Sequence, residues 1–164
     1  MSQIKNADAT SLRGERKVHI GLTSALGKQA LKGFEFNDNA NIANVLLTDF
    51  TLDTATGEIE ILDFSPMLHV FKPEGATHLS LTAGFLNLDF STEVKDLKTS
   101  PAFNMAIDAT VATVTLTPKA TASGLGTSLF FLKIAFFPQV NRIQYPFKTV
   151  TFNALQLIKV ISKH

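Results

Sequence analysis

The run at residues 128–137, SLFFLKIAFF, constrains the fold more than any other part of this chain. In a β-strand successive side chains point to opposite faces, and both faces of this run are apolar because Lys133 is its only charge. A strand that is apolar on both sides is usually central in a layered fold or is covered by a partner. We therefore expect residues 128–137 to form a core strand with cover on both faces.

Apolar residues recur with a period of two along most of the chain from Phe34 onwards, with turn signals between the runs. The further predicted strands are 44–52, 58–64, 77–91, 110–117 and 148–161. A polar loop ending in Gly57 joins the first two as a hairpin. The apolar phase slips around Gly84 and around Gln156, which predicts a β-bulge in each of the two long strands.

These strands, with almost no helical periodicity, predict an all-β fold. We expect an antiparallel two-sheet β-sandwich, and a β-barrel is the alternative. A chain of 164 residues is the usual size of one domain, and we assign the antiparallel β domain to residues 34–164.

Residues 1–33 are predicted to form a basic N-terminal arm or edge segment. They carry six basic and two acidic residues, whereas the rest of the chain carries nine basic and twelve acidic residues. Ser24 and Gly33 bound a short predicted helix, although Gly27 lies inside it. Because aliphatic residues are interleaved with the cations, the pattern favours docking on a neighbouring copy, or packing on its own domain, over nucleic-acid binding.

No group of residues in the sequence has the pattern of a catalytic or metal site. The chain has no cysteine, which excludes thiol nucleophiles and Cys-ligated metals, and its four histidines are far apart without an HExxH motif. Residues 37–41, NDNAN, alternate oxygen-bearing side chains but lack the Gly and Glu of a calcium loop, so they predict an Asx-rich turn. We therefore expect no enzyme activity, no cofactor and no metal.

The aromatic residues favour dry contacts, since fourteen Phe occur with one Tyr and no Trp. Phe-rich faces serve as core and as subunit interfaces. The sequence thus predicts a non-enzymatic structural or assembly protein, such as a shell, tube, filament or accessory subunit, whose partners are copies of itself or other proteins. The interface residues expected from the arm and the Phe-rich strand are Leu12, Val18, Ile20, Leu22, Leu129, Phe131 and Phe137.

A binding module that encloses an apolar small ligand is the alternative function. Its pocket would be lined by Phe85, Phe130, Phe136 and Phe152.

The chain shows neither the apolar core of a signal peptide near its start nor a run of about 18 apolar residues. The sequence therefore predicts no membrane span and a cytoplasmic location by default, and it leaves release or assembly outside the cell open.

Overall fold

The computed structural model describes residues 2–148 and 152–162. This part of the chain is mostly β, in antiparallel sheets that are not closed, so the all-β prediction is confirmed and the barrel alternative is wrong. The helices are α1 Ser2–Asn6, α2 Val18–Gly21, α3 Ala25–Leu31, α4 Ile42–Val45 and α5 Pro66–His69. The strands are β1 Thr51–Leu52, β2 Ile59–Phe64, β3 His78–Leu88, β4 Lys95–Thr99, β5 Phe103–Ala106, β6 Ala112–Leu116, β7 Thr127–Phe137, β8 Gln139–Val140, β9 Ile143–Gln144 and β10 Ala154–Ile161.

Two sheets hold most of the strands. A three-stranded sheet has the order β1-β2-β6, and a five-stranded sheet has the order β10-β7-β3-β4, with β5 paired to the other half of β3. One apolar cluster contains residues of both sheets, such as Ile61 and Val114 from the first and Leu81 and Ile134 from the second. The face of the five-stranded sheet in this cluster is called its inner face below, and the opposite face its outer face.

Strand β7 is central in the five-stranded sheet, as the run at 128–137 predicts. It pairs with β10 on one side and with β3 along its full length on the other. Its inner-face side chains Leu132 and Ile134 lie in the shared core, while Leu129 and Phe131 belong to a second cluster on the outer face. Both faces of β7 thus have apolar neighbours.

The β-bulge predicted around Gly84 is wrong, because β3 pairs with β7 in one unbroken register from His78 to Leu88. The apolar phase changes for another reason: Leu81 packs on the inner face, whereas Leu86 packs on the outer cluster. In β10 the pairing with β7 does shift, between Leu157 and Lys159, close to the irregularity predicted around Gln156.

The predicted strand 44–52 is mostly wrong. Residues 42–45 are helical, because Asn41 caps α4 by accepting a hydrogen bond from the Asn44 N–H at 2.8 Å, and only β1 remains as strand. The hairpin from β1 to β2 through Gly57 is confirmed. The predicted Asx turn also forms, since the Asn37 side chain accepts a hydrogen bond from the Asn39 N–H at 3.1 Å.

The segment predicted as a basic arm or edge contains α1, α2 and α3, which pack on their own domain through Ile4, Leu22 and Leu31. The predicted Ser24 cap is present, with the Ser24 hydroxyl accepting from the Gly27 N–H at 3.0 Å. No helix within the described ranges is both long and apolar enough to cross a membrane.

Candidate functional site

The outer face of the five-stranded sheet is divided into a covered half and an open half. Helices α1–α3 cover the first half, where Ile4, Leu22 and Leu31 pack with Leu129 and Leu157 of the sheet. Within the described residues no helix covers the second half, around Phe131, which forms an apolar groove.

Two features hold the covering helices close together. The buried Asp8 carboxylate accepts hydrogen bonds from the N–H groups of Thr10 and Ser11 at 3.0 Å and of Lys17 at 3.1 Å. Burial alone would raise the pKa of Asp8, but the hydrogen bonds from Ser11, Lys17 and Thr10 outweigh burial and hold the pKa below its usual range. Asp8 thus fixes the path from α1 to α2.

Glycines let the three helices approach backbone to backbone. A Cβ on Gly21 would lie 1.9 Å from the Ile4 carbonyl oxygen, and a Cβ on Gly27 would lie 2.0 Å from the Gly21 carbonyl oxygen. Neither space admits a side chain, so Gly27, which is unfavourable for a helix by propensity, is required by packing.

The open half of the outer face is a groove with a volume of about 380 Å³. Its most accessible apolar side chains are Phe36, 55% exposed, and Leu97, 56% exposed. The groove is lined by Phe36, Thr82, Ala83, Gly84, Leu86, Leu97, Thr99, Phe131, Lys133 and Leu155. Lys133 is the only charged side chain among these lining residues.

Sheet register explains why the groove forms here. Gly84 is paired with Phe131, and because it has no side chain it leaves part of the Phe131 ring open on the outer face. Residues 33–36 extend the sheet beyond β10: the Gly33 N–H donates to the Leu157 carbonyl at 2.7 Å and the Phe36 N–H donates to the Leu155 carbonyl at 2.9 Å. This added edge places the Phe36 ring 5.9 Å from the Phe131 ring.

A second exposed apolar surface, the apolar corner, comprises residues 45–47 and residues 67–71, and it lies where these segments meet. The two segments are joined by hydrogen bonds from the Leu47 N–H to the His69 carbonyl, 2.8 Å, and from the Phe71 N–H to the Val45 carbonyl, 2.9 Å. The exposed large side chains of the apolar corner are Leu47, Met67, Leu68 and Phe71.

Charge is unevenly distributed along the chain. Residues 33–71, which include the apolar corner and Phe36 of the groove, contain seven carboxylates and no Lys or Arg, and Lys72 follows directly. Lys28, Lys32 and Lys159 line a cleft with Gly33, which lies three residues before Phe36 of the groove. Across residues 2–148 and 152–162 the single ion pair joins Lys98 to Asp96 at 2.7 Å, so neither group of charges is neutralised by an ion pair within the chain.

The predicted interface residues are in three different environments. Leu22 and Leu129 are buried in the cluster beneath the helices, where a partner has no access to them. Val18 and Phe131 pack at the edge of that cluster, and Phe131 also lines the groove. The remaining three are accessible: Leu12 is exposed, and Ile20 and Phe137 are half-buried.

The four phenylalanines predicted to line a pocket are not brought together. Phe85 and Phe130 stack directly on each other in the interior, with ring centroids 4.5 Å apart. Phe136 lies in the shared core, and Phe152 is exposed beside Phe147. The groove is lined by other residues, so these four side chains do not form one cavity.

Comparisons with other proteins assign no family to this chain. No family model, curated protein or solved structure matches the chain. In the part of the chain that the structure describes, no group of three or more His, Cys, Asp or Glu side chains is placed to hold a metal ion.

Phe36 and Leu97 line the groove but are not among the residues predicted from the sequence. They lie in segments far apart along the chain, and the strand order of the sheet brings them to one face. A usable signal was present in residues 33–36, where Phe34 and Phe36 alternate with Glu35 as in a short half-exposed strand.

Proposed function

We propose that this chain is a non-enzymatic structural subunit, with a two-sheet β-sandwich as its body, that assembles with copies of itself. The uncovered apolar groove is the observation that carries the proposal. Exposed apolar surface of this kind, rimmed by polar residues, marks interaction sites in soluble proteins. The proposed contact is head-to-tail: the apolar corner of one copy enters the groove of the next.

Charge complementarity favours a second copy as the occupant of the groove. The apolar corner lies in the segment 33–71, which has seven carboxylates and no Lys or Arg, whereas Lys133 lines the groove and Lys28, Lys32 and Lys159 line a cleft with Gly33 of the added sheet edge. Because these charges form no ion pair within the described chain, they are free to attract each other between copies.

The energetics require both surfaces. Burying the exposed portions of Phe36 and Leu97 in the groove, and of Phe34, whose ring packs against Phe36, contributes roughly 3 kcal/mol, and burying those of the four corner side chains roughly 6 kcal/mol. Association costs about 4–15 kcal/mol in lost translational and rotational freedom. Burial of the groove residues against a polar partner would not offset this cost. Together the groove and the corner contribute roughly 9 kcal/mol, which lies within the range of that cost, whereas the groove alone falls below it.

This arrangement is heterologous, because the two contacting surfaces differ. Such a contact forms a ring when the rotation between copies closes and a filament when it does not. Both products agree with the assembly role predicted from the sequence.

Two single variants and their mixture test the proposal by light scattering. Leu97→Lys blocks the groove and Phe71→Lys blocks the corner, and each is expected to have a lower mass than the parent protein. An equimolar mixture is expected to regain mass as one-to-one complexes, because the intact corner of one variant meets the intact groove of the other. Val94→Lys, an exposed position beside β4 but outside the groove lining, is the matched control and is expected to keep the parent mass.

Circular dichroism of each variant checks that the lysine has not unfolded the domain. The proposal fails if the folded variants keep the parent mass, or if their mixture forms no new complex. A monomeric parent whose melting temperature rises with dodecanoate would instead favour the apolar-ligand alternative, since the groove volume lies in the range of small-molecule sites.

A further inference from the structure

Strand β6 is an outer strand of the three-stranded sheet. It pairs with β2 through Leu116 with Ile59, Thr115 with Glu60 and Val114 with Ile61. Val114 and Leu116 are buried in the core, while Thr113 and Thr115 are exposed on the opposite face. Within the described residues no backbone hydrogen bond joins the other side of β6 to another segment.

The outer strands of the five-stranded sheet are protected, in contrast to β6. Residues 33–36 bond to the free side of β10, and the loop after β6 bonds to β4 through the Lys119 N–H and the Thr99 carbonyl at 3.2 Å. Ser123 adds to this cover, because its N–H donates to the Asp96 carboxylate at 2.9 Å. These contacts occupy edges at which another chain would otherwise pair.

The sequence of β6 lacks the usual devices that discourage pairing between chains. Residues 109–117, ATVATVTLT, contain no charge, no proline and no glycine, and they are rich in β-branched residues. Natural edge strands are typically protected by lysine, proline or a bulge. The irregularity between β2 and β6 lies in β2, after Ile61, and leaves residues 113–116 regular.

The pattern of β6 is also complementary to itself. When two copies pair antiparallel about a twofold axis at Val114, Thr113 of each copy lies opposite Thr115 of the other, and Ala112 lies opposite Leu116. The exposed face then joins Thr to Thr, and the buried face joins apolar to apolar, so both faces of the sheet continue unbroken.

We infer that β6 pairs antiparallel with β6 of a second copy and joins two three-stranded sheets into one six-stranded sheet. Backbone hydrogen bonds between strands supply the attraction, and the alternation of side chains fixes the register. The inference rests on the proposed function in so far as the chain self-associates, but it uses a different surface. With both contacts present, head-to-tail assemblies are linked in pairs through β6.

The experiment uses the Leu97→Lys variant, whose groove is blocked. Pairing through β6 predicts that this variant is a dimer in light scattering. Adding Thr113→Lys and Thr115→Lys sets like charges opposite each other across the twofold axis, and the mass is expected to halve. Thr121→Lys in the same background is the matched control, since Thr121 is exposed and outside β6, and it is expected to remain a dimer.

Cysteine trapping provides a second readout that does not depend on tolerance of lysine. The chain has no cysteine of its own. Strands paired in this register hold opposite Cα atoms about 4.5–5.5 Å apart, which suits a disulfide. An equimolar mixture of Thr113→Cys and Thr115→Cys is expected to form disulfide-linked dimers on oxidation, while Thr121→Cys stays largely monomeric.

The outcomes separate the two proposals. The β6 contact is overturned if the parent protein is oligomeric, the Leu97→Lys variant is monomeric and the cysteine mixture forms no disulfide. The groove contact stands in that case. A parent dimer that Leu97→Lys leaves intact, and that the two β6 lysines dissociate, supports the β6 contact and overturns the groove contact.

Discussion

Gly27→Ala is expected to destabilise the native protein, although alanine is the better helix former. By helix propensity alone the substitution would stabilise α3 by about 1 kcal/mol. The new methyl group would lie 2.0 Å from the Gly21 carbonyl oxygen and 2.7 Å from its carbon. Ordinary contact begins near 3.4 Å, so α2 and α3 would have to separate by more than an ångström.

The magnitude follows from these opposing effects. Overpacking a tight site costs about 1–3 kcal/mol, and the cost belongs at the upper end here because the contact is with backbone that has no rotamer to change. Separation of the helices also draws Leu22 and Leu31 away from the outer face of the sheet. After subtracting the propensity gain, we expect a net loss of roughly 1–2 kcal/mol.

Urea unfolding monitored by circular dichroism measures the change. Ala30→Gly is the matched control, because Ala30 is exposed in the same helix and should cost at most about 1 kcal/mol by propensity. The reasoning is refuted if Gly27→Ala is as stable as the parent protein or more stable. That result would mean that α2 and α3 are not packed backbone to backbone, and that the covered half of the outer face is built differently.

Two further predictions concern the buried Asn87 amide and the half-buried Glu35 carboxyl. Asn87→Ala is expected to lower the free energy of unfolding in urea by roughly 1–3 kcal/mol, because the buried Asn87 amide accepts a hydrogen bond from the Gly126 N–H at 3.0 Å and donates one to the Gly126 carbonyl at 3.2 Å. Asn104→Ala, at an exposed position, should lower it far less. Equal losses in the two variants would contradict a stabilising role for the Asn87 hydrogen bonds. Burial raises the pKa of Glu35, so the native state binds the Glu35 proton more tightly than the unfolded state does. The contribution of Glu35 to the free energy of unfolding is therefore lost as the pH rises through the folded-state pKa. Glu35→Gln should therefore raise the urea midpoint more at neutral pH than near the ordinary Glu pKa of about 4.3, and a gain that does not change with pH would contradict this.

The central strand could be predicted from sequence because its signal is local. Residues 128–137 are apolar on both faces, and only a position with cover on both sides satisfies such a strand. The cap at Ser24 and the Asx turn after Asn37 were also predictable, since each depends on side chains that bond to backbone two or three residues away.

Other features depended on contacts between distant segments. The change in apolar phase at Gly84 looks like a β-bulge in the sequence, but β3 has no bulge there. The phase changes because Leu86 packs against the helices on the outer face, and no local sequence pattern predicts where those helices lie. The helices themselves have four to seven residues, too few for helical periodicity to be visible. The groove was predictable only at Phe131, because the order of the strands decides which other residues share its face.

The mass of the unmodified protein in solution tests the central claim most directly. Sedimentation or light scattering across a concentration series in the micromolar range would measure it. We expect assemblies larger than one chain that grow with protein concentration and weaken with added salt, since the proposed contact joins lysines to carboxylates. A single species with the 17.8 kDa mass of one chain at every concentration would contradict it.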